Sequence, residues 1–482
     1  MQRILLGVLA SLTFLLSIPL TAKQALAIPA FARKYNLPCS VCHVPAFPKL
    51  NDFGNLFRDR GYQLGGETDL PTSETLTNGY WPVAIRTTVG YQTSSLNKVG
   101  DGTPGDPTSN IATGDFGFTG LDILSFGTLA RDISFGVVLT PGLGSAGFGS
   151  GSTETDSDLE AAYIKIDNLL QSDYLLNLKV GKFELDLPFS EKRSPTLDTP
   201  FVMYHYVAGN PYTTALGNPG LIPAPCCPAQ TYPNANDFGI GDNHPGLEVS
   251  GFKKTPGDGY LRYSLNALSN SDVNAGNTGG GRKLNFYGHV TQSIGGYGIV
   301  SGQRVGVFGA YGDAPTAPNP VCAASPSAPS GCGAIAKDGA SFYRAGVDVS
   351  LTAFNQVNLF GALMHAKDSQ KLFSSQGIAG AQDAGWNGSF IEMDYNPIQL
   401  PTWLFSYRYD VIRNTNQGDP TFASDFNDVN SHTFLARYNF NISARVDTTF
   451  HVEYNYFRTK KTDPTGGDQV GQTTLVAFDF AF

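Results

Sequence analysis

The stretch that decides the fold is Val476-Ala-Phe-Asp-Phe-Ala-Phe482. Its Val and Phe side chains alternate with Ala and Asp, so an extended strand has one strongly apolar face and one small or charged face. Residues 403–410 and 445–456 repeat the pattern, with aromatic side chains alternating with Arg, Asp, His and Glu. An apolar face for lipid and a polar face for a wet lumen predict a membrane-spanning β-barrel. A soluble sandwich would instead bury the aromatic face against a second sheet.

The rest of the chain supports this prediction. It contains 55 Gly, 32 Phe and 22 Tyr, and only 15% of its residues are charged. Helical periodicity almost disappears after residue 65, whereas a soluble chain of this length more often forms two or three domains with helices. We predict sixteen strands, at 81–95, 115–131, 133–142, 157–170, 174–187, 245–254, 260–269, 283–294, 304–314, 341–354, 356–368, 385–398, 402–414, 431–440, 443–458 and 473–482.

The connections between these strands alternate between long and short. The long ones include 96–114, 143–156, 188–244, 315–340, 415–430 and 459–472. The short ones include Asp132, 171–173, 255–259, Asn355 and 441–442. Long loops outside and short turns in the periplasm are typical of bacterial outer-membrane barrels. An even strand number then places both termini on the periplasmic side, with the residues before the first strand there or within the lumen.

The first residues resemble a secretory signal. Arg3 precedes the apolar run Ile4–Leu20, and Ala25-Leu-Ala27 supplies a small-residue cleavage signal, so we expect cleavage after Ala27. The alternative, a retained transmembrane anchor, is disfavoured because the run is short and ends in a cleavage signal. No other apolar run is long enough for a membrane helix.

The motif Cys39-Ser-Val-Cys-His43 predicts covalent attachment of one haem c. Two thiols three residues apart form thioethers with the haem vinyl groups, and the histidine after the second binds the iron as proximal ligand. The alternatives are a redox disulfide, which would need a thioredoxin-like context, and half of a zinc site, which would need a second ligand pair. The predicted domains are a signal peptide at 1–27, a monohaem c-type cytochrome segment at 28–78 and a porin-like barrel at 79–482.

A short helix is predicted after the motif. Leu50, Phe53, Leu56 and Phe57 share one face at helical spacing, and Asn51 or Asp52 suits the first turn. This apolar face packs either on the haem or on the barrel wall. The segment is too short to bury a haem well unaided. The fold class is therefore mostly β, an antiparallel barrel of about 16 strands with a small α-helical haem segment at or in its lumen.

Residues 28–62, which include Ile28-Pro-Ala-Phe-Ala-Arg-Lys-Tyr-Asn-Leu-Pro-Cys39, Pro48-Lys-Leu-Asn-Asp-Phe-Gly54 and Arg60-Gly-Tyr62, resemble a known family. It is that of the single-chain porin–cytochrome fusions of Fe(II)-oxidising bacteria, outer-membrane monohaem c-type cytochromes with a C-terminal barrel. Beyond residue 62 only the architecture is similar, including an aromatic C-terminal residue. The resemblance implies that a haem in or against the barrel takes electrons from extracellular Fe(II) and passes them inward, to a periplasmic c-type cytochrome or another carrier.

The sixth ligand of the haem iron must come from outside the segment if it is Met or His. No Met or His lies between His43 and residue 200, and a Met ligand would raise the reduction potential. A five-coordinate or water-ligated iron is also open. The candidates are Met203 and His205 on the loop 188–244, and His289 and His451 at lumen-facing positions of the eighth and fifteenth strands.

Charge and the other cysteines restrict the partners. The net charge of −9 becomes −11 once Arg3 and Lys23 of the signal are removed, which argues against nucleic acid and favours cationic partners. Acidic residues in the predicted outer loops would concentrate cations or only keep those loops solvated. Cys226, Cys227, Cys322 and Cys332 lie in the same loops, where disulfides can form, and the easiest pair is Cys322 with Cys332.

Four functions remain to be compared. The leading one is an electron-transfer cytochrome in outer-membrane lipid that oxidises extracellular Fe(II); whether it counts as an enzyme is open. The second exports electrons to an extracellular acceptor. The third is a diffusion porin with a haem-bearing plug. The fourth, a peroxidase, lacks a recognisable distal acid–base pair, and no catalytic residue is assigned.

Overall fold

The structure is a computed structural model that describes most of the chain. It covers residues 29–44, 48–65, 69–79, 81–99, 109–142, 158–208, 236, 238–269, 284–298, 300, 302–316, 339–375, 377–440, 446–460 and 468–482. The predicted signal peptide and the four cysteines of the long loops lie outside these residues.

Sixteen strands in the described residues form one closed antiparallel barrel. They are β1 Val83–Val99, β2 Ser109–Ala130, β3 Ile133–Thr140, β4 Asp158–Ile166, β5 Asn177–Glu184, β6 Asn243–Thr255, β7 Gly259–Ser269, β8 Leu284–Ile294, β9 Gln303–Pro315, β10 Gly339–Ala353, β11 Val357–Asp368, β12 Ala384–Tyr395, β13 Trp403–Asn416, β14 Val429–Asn439, β15 Asp447–Thr459 and β16 Gln469–Ala481. The ring closes between β1 and β16, where Arg86 lies opposite Ala481 and Leu96 opposite Gly471. Each predicted span overlaps one of these strands, so the strand count is confirmed.

Both strands next to the connection between β4 and β5 are shorter than predicted. The apolar residues near Leu169 extended both predicted strands, but residues 167–176 form a tight connection instead. Five non-glycine residues there have positive φ, which does not occur within a strand: Asn168, Leu170, Gln171, Asp173 and Tyr174. The described residues of the connections at 131–132, 167–176, 256–258, 295–302, 354–356, 396–402 and 440–446 lie at one end of the barrel, which we call the short-turn end.

The two faces of the strands differ as the alternation predicts. In β16, Phe478 is 41% exposed and Val476 37%, whereas Asp479 and Ala477 between and beside them are 3% and 1% exposed. Val305, Val307 and other aliphatic side chains also point outward from β8 to β10. A closed barrel with an apolar exterior satisfies its backbone hydrogen bonds internally and fits a lipid bilayer. None of the helices in the described residues is long and apolar enough to span a membrane.

The lumen is packed on one side by the connection between β5 and β6. Within it lies α4, Val202–His205, and its apolar side chains join one buried cluster with inward residues that lie mainly on β8 to β14 and also on β1, β5, β7 and β15. Three arginines of the wall bind its main-chain carbonyls: Arg304 donates to Pro188 O at 2.5 Å, Arg408 to Thr199 O at 2.7 Å and Arg437 to Pro195 O at 2.8 Å. These charge-assisted hydrogen bonds hold the loop inside the barrel.

The described residues of 29–79, which we call the N-terminal segment, occupy the short-turn end. The segment contains α1 Pro29–Tyr35, α2 Asp52–Asp59 and α3 Thr72–Thr77, while α5 Gln370–Ser374 lies in the connection between β11 and β12. Lys49 forms a buried ion pair with Asp394 of β12 and donates to Asn358 Oδ1 of β11 at 3.1 Å. Asp52 accepts from the main-chain N–H groups of Tyr297 and Gly298 at 2.7 and 2.6 Å. The segment is therefore fixed to separate parts of the barrel mouth.

Candidate functional site

The candidate haem-attachment motif forms a tight, buried turn. Cys39–Val41 is one turn of 3₁₀ helix, and the N–H groups of Cys42 and His43 both donate to Cys39 O, at 3.0 and 2.9 Å. Cys39 is 2% exposed, Cys42 8% and His43 3%. The two thiols are not joined in a disulfide. The turn thus brings the two thiols and the imidazole into one short, water-poor stretch of chain.

Asn51 connects this turn to α2. Its main-chain N–H donates to Cys42 O at 2.9 Å, and its side-chain amide donates to Val41 O at 2.9 Å. Its Oδ1 accepts from Gly54 N at 2.9 Å, so Asn51 is the N-cap of α2. Of the two predicted capping residues, Asn51 has this role, while Asp52 binds the barrel.

Gly54 allows α2 to lie directly against the motif. A Cβ at this position would lie 2.3 Å from Cys42 O and 2.9 Å from Leu50 Cδ2. We expect Gly54→Ala to cost about 1–3 kcal/mol through overpacking and to reduce haem attachment, although Ala favours helix. Haem absorbance per barrel and the thermal unfolding midpoint measure this effect. Gly120→Ala is the matched control, because no atom lies within 4 Å of its added Cβ; equal results for both variants would contradict the role of Gly54.

Burial determines the protonation of the donor groups. It lowers the pKa of His43 to about 4, so the imidazole is neutral near pH 7, the form that binds metals. It raises the pKa of the Cys42 thiol to about 11. Burial, and after it the Asp447 carboxylate, raises the pKa of the Cys39 thiol as well.

Cys42 and His43 line a cavity of about 270 Å³ between the N-terminal segment and the inner wall of β1 to β7, which we call the motif cavity. One part of its lining is apolar, and the other carries Arg and Lys side chains together with carboxylates such as Glu184 and Glu248, which pair with Arg193 and Lys179. The apolar residues include Phe31, Leu50, Phe57, Leu124 and Phe126; the basic ones include Arg58, Lys165, Lys179 and Arg193. The Cys42 thiol, a neutral imidazole, an apolar wall and cations near it fit a haem, which is an apolar ring with two carboxylates, while Cys39 lies in the adjoining turn and does not line the cavity.

Phe57 shows how the predicted helix face packs. It lies edge-on to Phe31, with ring centroids 5.1 Å apart, and also contacts Tyr35 and Tyr62. Phe57 and Leu50 both line the motif cavity, whereas Phe53 is 40% exposed. The face therefore borders the cavity and the aromatic side chains of its own segment.

The four sixth-ligand candidates lie elsewhere in the lumen. Met203 is 1% exposed within the apolar cluster, and His205 Nε2 lies 2.6 Å from Glu191 Oε2. His289 contacts Asp186 O at 2.7 Å and Asp348 Oδ2 at 3.0 Å, and His451 Nε2 contacts Glu453 Oε2 at 3.0 Å. The alternation placed both strand histidines on the correct face. None of the four lines the motif cavity, whose described lining contains no Met and no His except His43.

This placement gives a spectroscopic prediction. We expect Met203→Leu and His205→Gln to leave the visible and near-infrared spectra of the haem-loaded protein unchanged, since neither side chain borders the motif cavity. Both substitutions approximately preserve size, and the glutamine introduced in the second variant retains a donor for Glu191. A change of spin state or loss of a ligand-to-metal band in either variant would contradict the placement.

Tyrosines and acids complete the description of the site. Tyr62 and Tyr163 line the motif cavity with their hydroxyl oxygens 2.9 Å apart. Sequence reasoning missed this pair, for which the turn residue Gly61 was the only local signal.

The described outer-loop acids make local contacts: Asp425 pairs with Lys460, and Asp468 with Arg458. No three or more His, Cys, Asp or Glu side chains of the described residues are grouped so that they could hold a metal ion.

The comparisons with known proteins give structures but no family. No family model matches the chain, and no curated protein matches it. The anion-selective porin from Comamonas acidovorans is 12% identical, over 83% of this chain and 99% of its own, with a TM-score of 0.47. The outer membrane channel DcaP of Acinetobacter baumannii is 10% identical, over 82% of this chain and 96% of its own, with a TM-score of 0.43. OprB of Pseudomonas putida is 11% identical, over 85% of this chain and 96% of its own, also with a TM-score of 0.43.

The chain's own barrel determines its location. Sixteen strands close without an edge, the outward side chains are apolar, and the short connections share one end. This architecture is that of a porin-like barrel of the bacterial outer membrane, in which short turns face the periplasm. The N-terminal segment at the short-turn end accordingly lies on the periplasmic side.

Proposed function

We propose that this chain is an outer-membrane electron-transfer protein that carries one haem on Cys39, Cys42 and His43. Extracellular Fe(II) would give up one electron and become Fe(III), and the electron would leave to a one-electron carrier in the periplasm. A haem bound at this motif would supply a one-electron iron centre inside a wall that electrons cannot otherwise cross. The observation that carries the proposal is that Cys42 and His43 border a cavity within the barrel rather than solvent.

The residues around the motif support this proposal by holding and shielding it. Asn51 fixes the turn through Val41 O and Cys42 O. Lys49 and Asp52 fix the segment to the barrel. A rigid, water-poor environment keeps reorganisation small when charge changes, which favours fast electron transfer.

Anaerobic stopped-flow with the haem-loaded protein and Fe(II) tests the proposal. We expect the oxidised visible spectrum to convert to the reduced one, with a rate that rises with Fe(II) concentration. A strongly positive midpoint potential is expected with it. A negative potential without reduction by Fe(II) would contradict this direction of flow and favour electron export instead.

A diffusion porin is the second candidate, and one observation favours it. A cavity of about 700 Å³ lies against β1 to β6 and is lined in part by charged residues that include Asp122, Lys182 and Asp242. The apolar cluster on the opposite side of the lumen opposes an open pore. Conductance in planar bilayers decides between them: we expect small currents, and large stable currents from the intact protein would favour the porin.

A further inference from the structure

Two cavities inside the barrel share part of their lining. The motif cavity borders Cys42 and His43, and the 700 Å³ cavity, which we call the vestibule, borders Pro141, Gly142 and Asp242 at the long-loop ends of β3 and β6. Five residues line both: Arg86, Asp122, Glu160, Lys192 and Asn243. The cavities are therefore neighbours, one toward the long loops and one toward the haem motif.

The boundary between the two cavities is built from polar side chains. Thr140 Oγ1 lies 3.1 Å from Glu160 Oε2 and 3.2 Å from Asp122 Oδ1. Asn243 donates to Glu160 Oε1 at 3.4 Å, and Lys192 pairs with the same carboxylate. Lys192 retains 51% of its side-chain exposure within this pair. Such groups can exchange their contacts with one another for contacts with water.

The opposite wall of the lumen is different. Ala362, Ala366 and Trp386 point inward there and are 7%, 0% and 1% exposed, within the apolar cluster. A hydrated solute cannot enter close-packed apolar side chains without a large desolvation cost. The two neighbouring cavities against β1 to β7 therefore offer a polar route that these side chains do not block.

We propose that the vestibule and the charged part of the motif cavity form one polar passage that brings a small hydrated solute from the long-loop end toward the Cys39–His43 motif. The passage itself depends only on the two cavities; its use by the electron donor rests on the proposed function. The donor class is then a dissolved ion or small hydrophilic molecule, and not a protein or a mineral surface. Carboxylates outnumber cations in the vestibule lining: Asp122, Glu160, Glu191, Asp198 and Asp242 against Arg86, Lys182 and Lys192.

Cysteine accessibility in the full-length, haem-loaded protein tests the passage. Ser250→Cys places a thiol in the motif cavity, and Ala366→Cys places one in the apolar wall. The probe is a small cationic methanethiosulfonate, and mass spectrometry of the labelled peptide gives the rate at each site. We expect the thiol of Ser250→Cys to react about tenfold faster than that of Ala366→Cys, because a thiol in a packed core reacts only after local unfolding exposes it. Equal rates would overturn the proposal.

Narrowing the boundary tests the route. Asn243→Trp, combined with Ser250→Cys, should slow labelling by about tenfold, because the indole fills the space between the cavities. Val180→Trp, on the outward face of β5 at a position 51% exposed, is the control and should leave the rate unchanged. An unchanged rate with Asn243→Trp would overturn the proposed route. Reduction of the haem by Fe(II) is measured separately, so fast labelling without reduction supports the passage and contradicts only the proposed function.

Discussion

Replacing both Cys39 and Cys42 by serine is expected to remove covalent haem while the barrel still folds. Each thiol forms one thioether, so without both of them haem is lost in denaturing gels. Reduction by Fe(II) should disappear with it. The measurements are in-gel haem staining, the visible spectrum and heat-modifiable gel mobility, which reports the closed barrel.

The other cysteines of the chain provide a matched control. Cys322→Ser with Cys332→Ser removes the same number of sulfur atoms, two, but from a long loop outside the described residues. This variant should keep its haem and its Fe(II) reaction. Haem retained by the Cys39/Cys42 variant, or lost equally in both variants, would contradict the assignment of the motif.

Lys49→Met is expected to release the N-terminal segment from the barrel mouth. The side chains of Lys49 and Asp394 are 5% and 1% exposed, and the hydrogen bond from Lys49 to Asn358 is lost as well. Removing one partner of a buried ion pair costs about 3–5 kcal/mol, because the other charge stays buried without compensation. We expect faster proteolysis of residues 28–78 and a lower thermal midpoint.

Two further variants separate this effect from a general loss of charge. Lys254→Met breaks an exposed pair, in which Lys254 and Asp258 are 63% and 83% exposed, and should cost at most about 1 kcal/mol. Lys49→Met with Asp394→Leu removes both buried charges and should recover much of the stability. Normal protease resistance in Lys49→Met would show that the segment is held by other contacts.

The strands could be predicted from the sequence because alternation is a local signal. Phe478 and Asp479 occupy opposite faces in any extended chain, and only the lipid decides which face is outward. The connection before β5 was predicted at 171–173 but spans 167–176, because some of its residues, such as Leu170, are apolar but have positive φ. Hydrophobicity contains no information about that backbone conformation.

The contacts that place the motif could not be predicted, because they join distant parts of the chain. Lys49 meets Asn358 and Asp394 across 309 and 345 residues. Arg408 has the lumen-facing position that alternation predicts for a wet channel, yet it is 0% exposed and binds Thr199 O and Pro200 O. Alternation predicts which face of the sheet a strand residue occupies, but it predicts neither its position along the barrel axis nor the residue it contacts.

The sixth ligand illustrates the same limit of local patterns. His289 and His451 do face the lumen, and both are almost fully buried. Carboxylate oxygens already contact their ring nitrogens: those of Asp186 and Asp348 contact His289, and that of Glu453 contacts Nε2 of His451. The alternation therefore predicted correctly that these histidines face the lumen, but it gave no evidence that either of them lies beside His43.

The intact mass of the purified protein, produced in a periplasm that attaches haem to c-type cytochromes, tests the central claim most directly. We predict one species, the chain from Ile28 plus a single covalent haem, with both thioethers mapped to the peptide that contains Cys39 and Cys42. The unmodified mass, with Cys39 and Cys42 as free thiols or as a disulfide, would contradict the account.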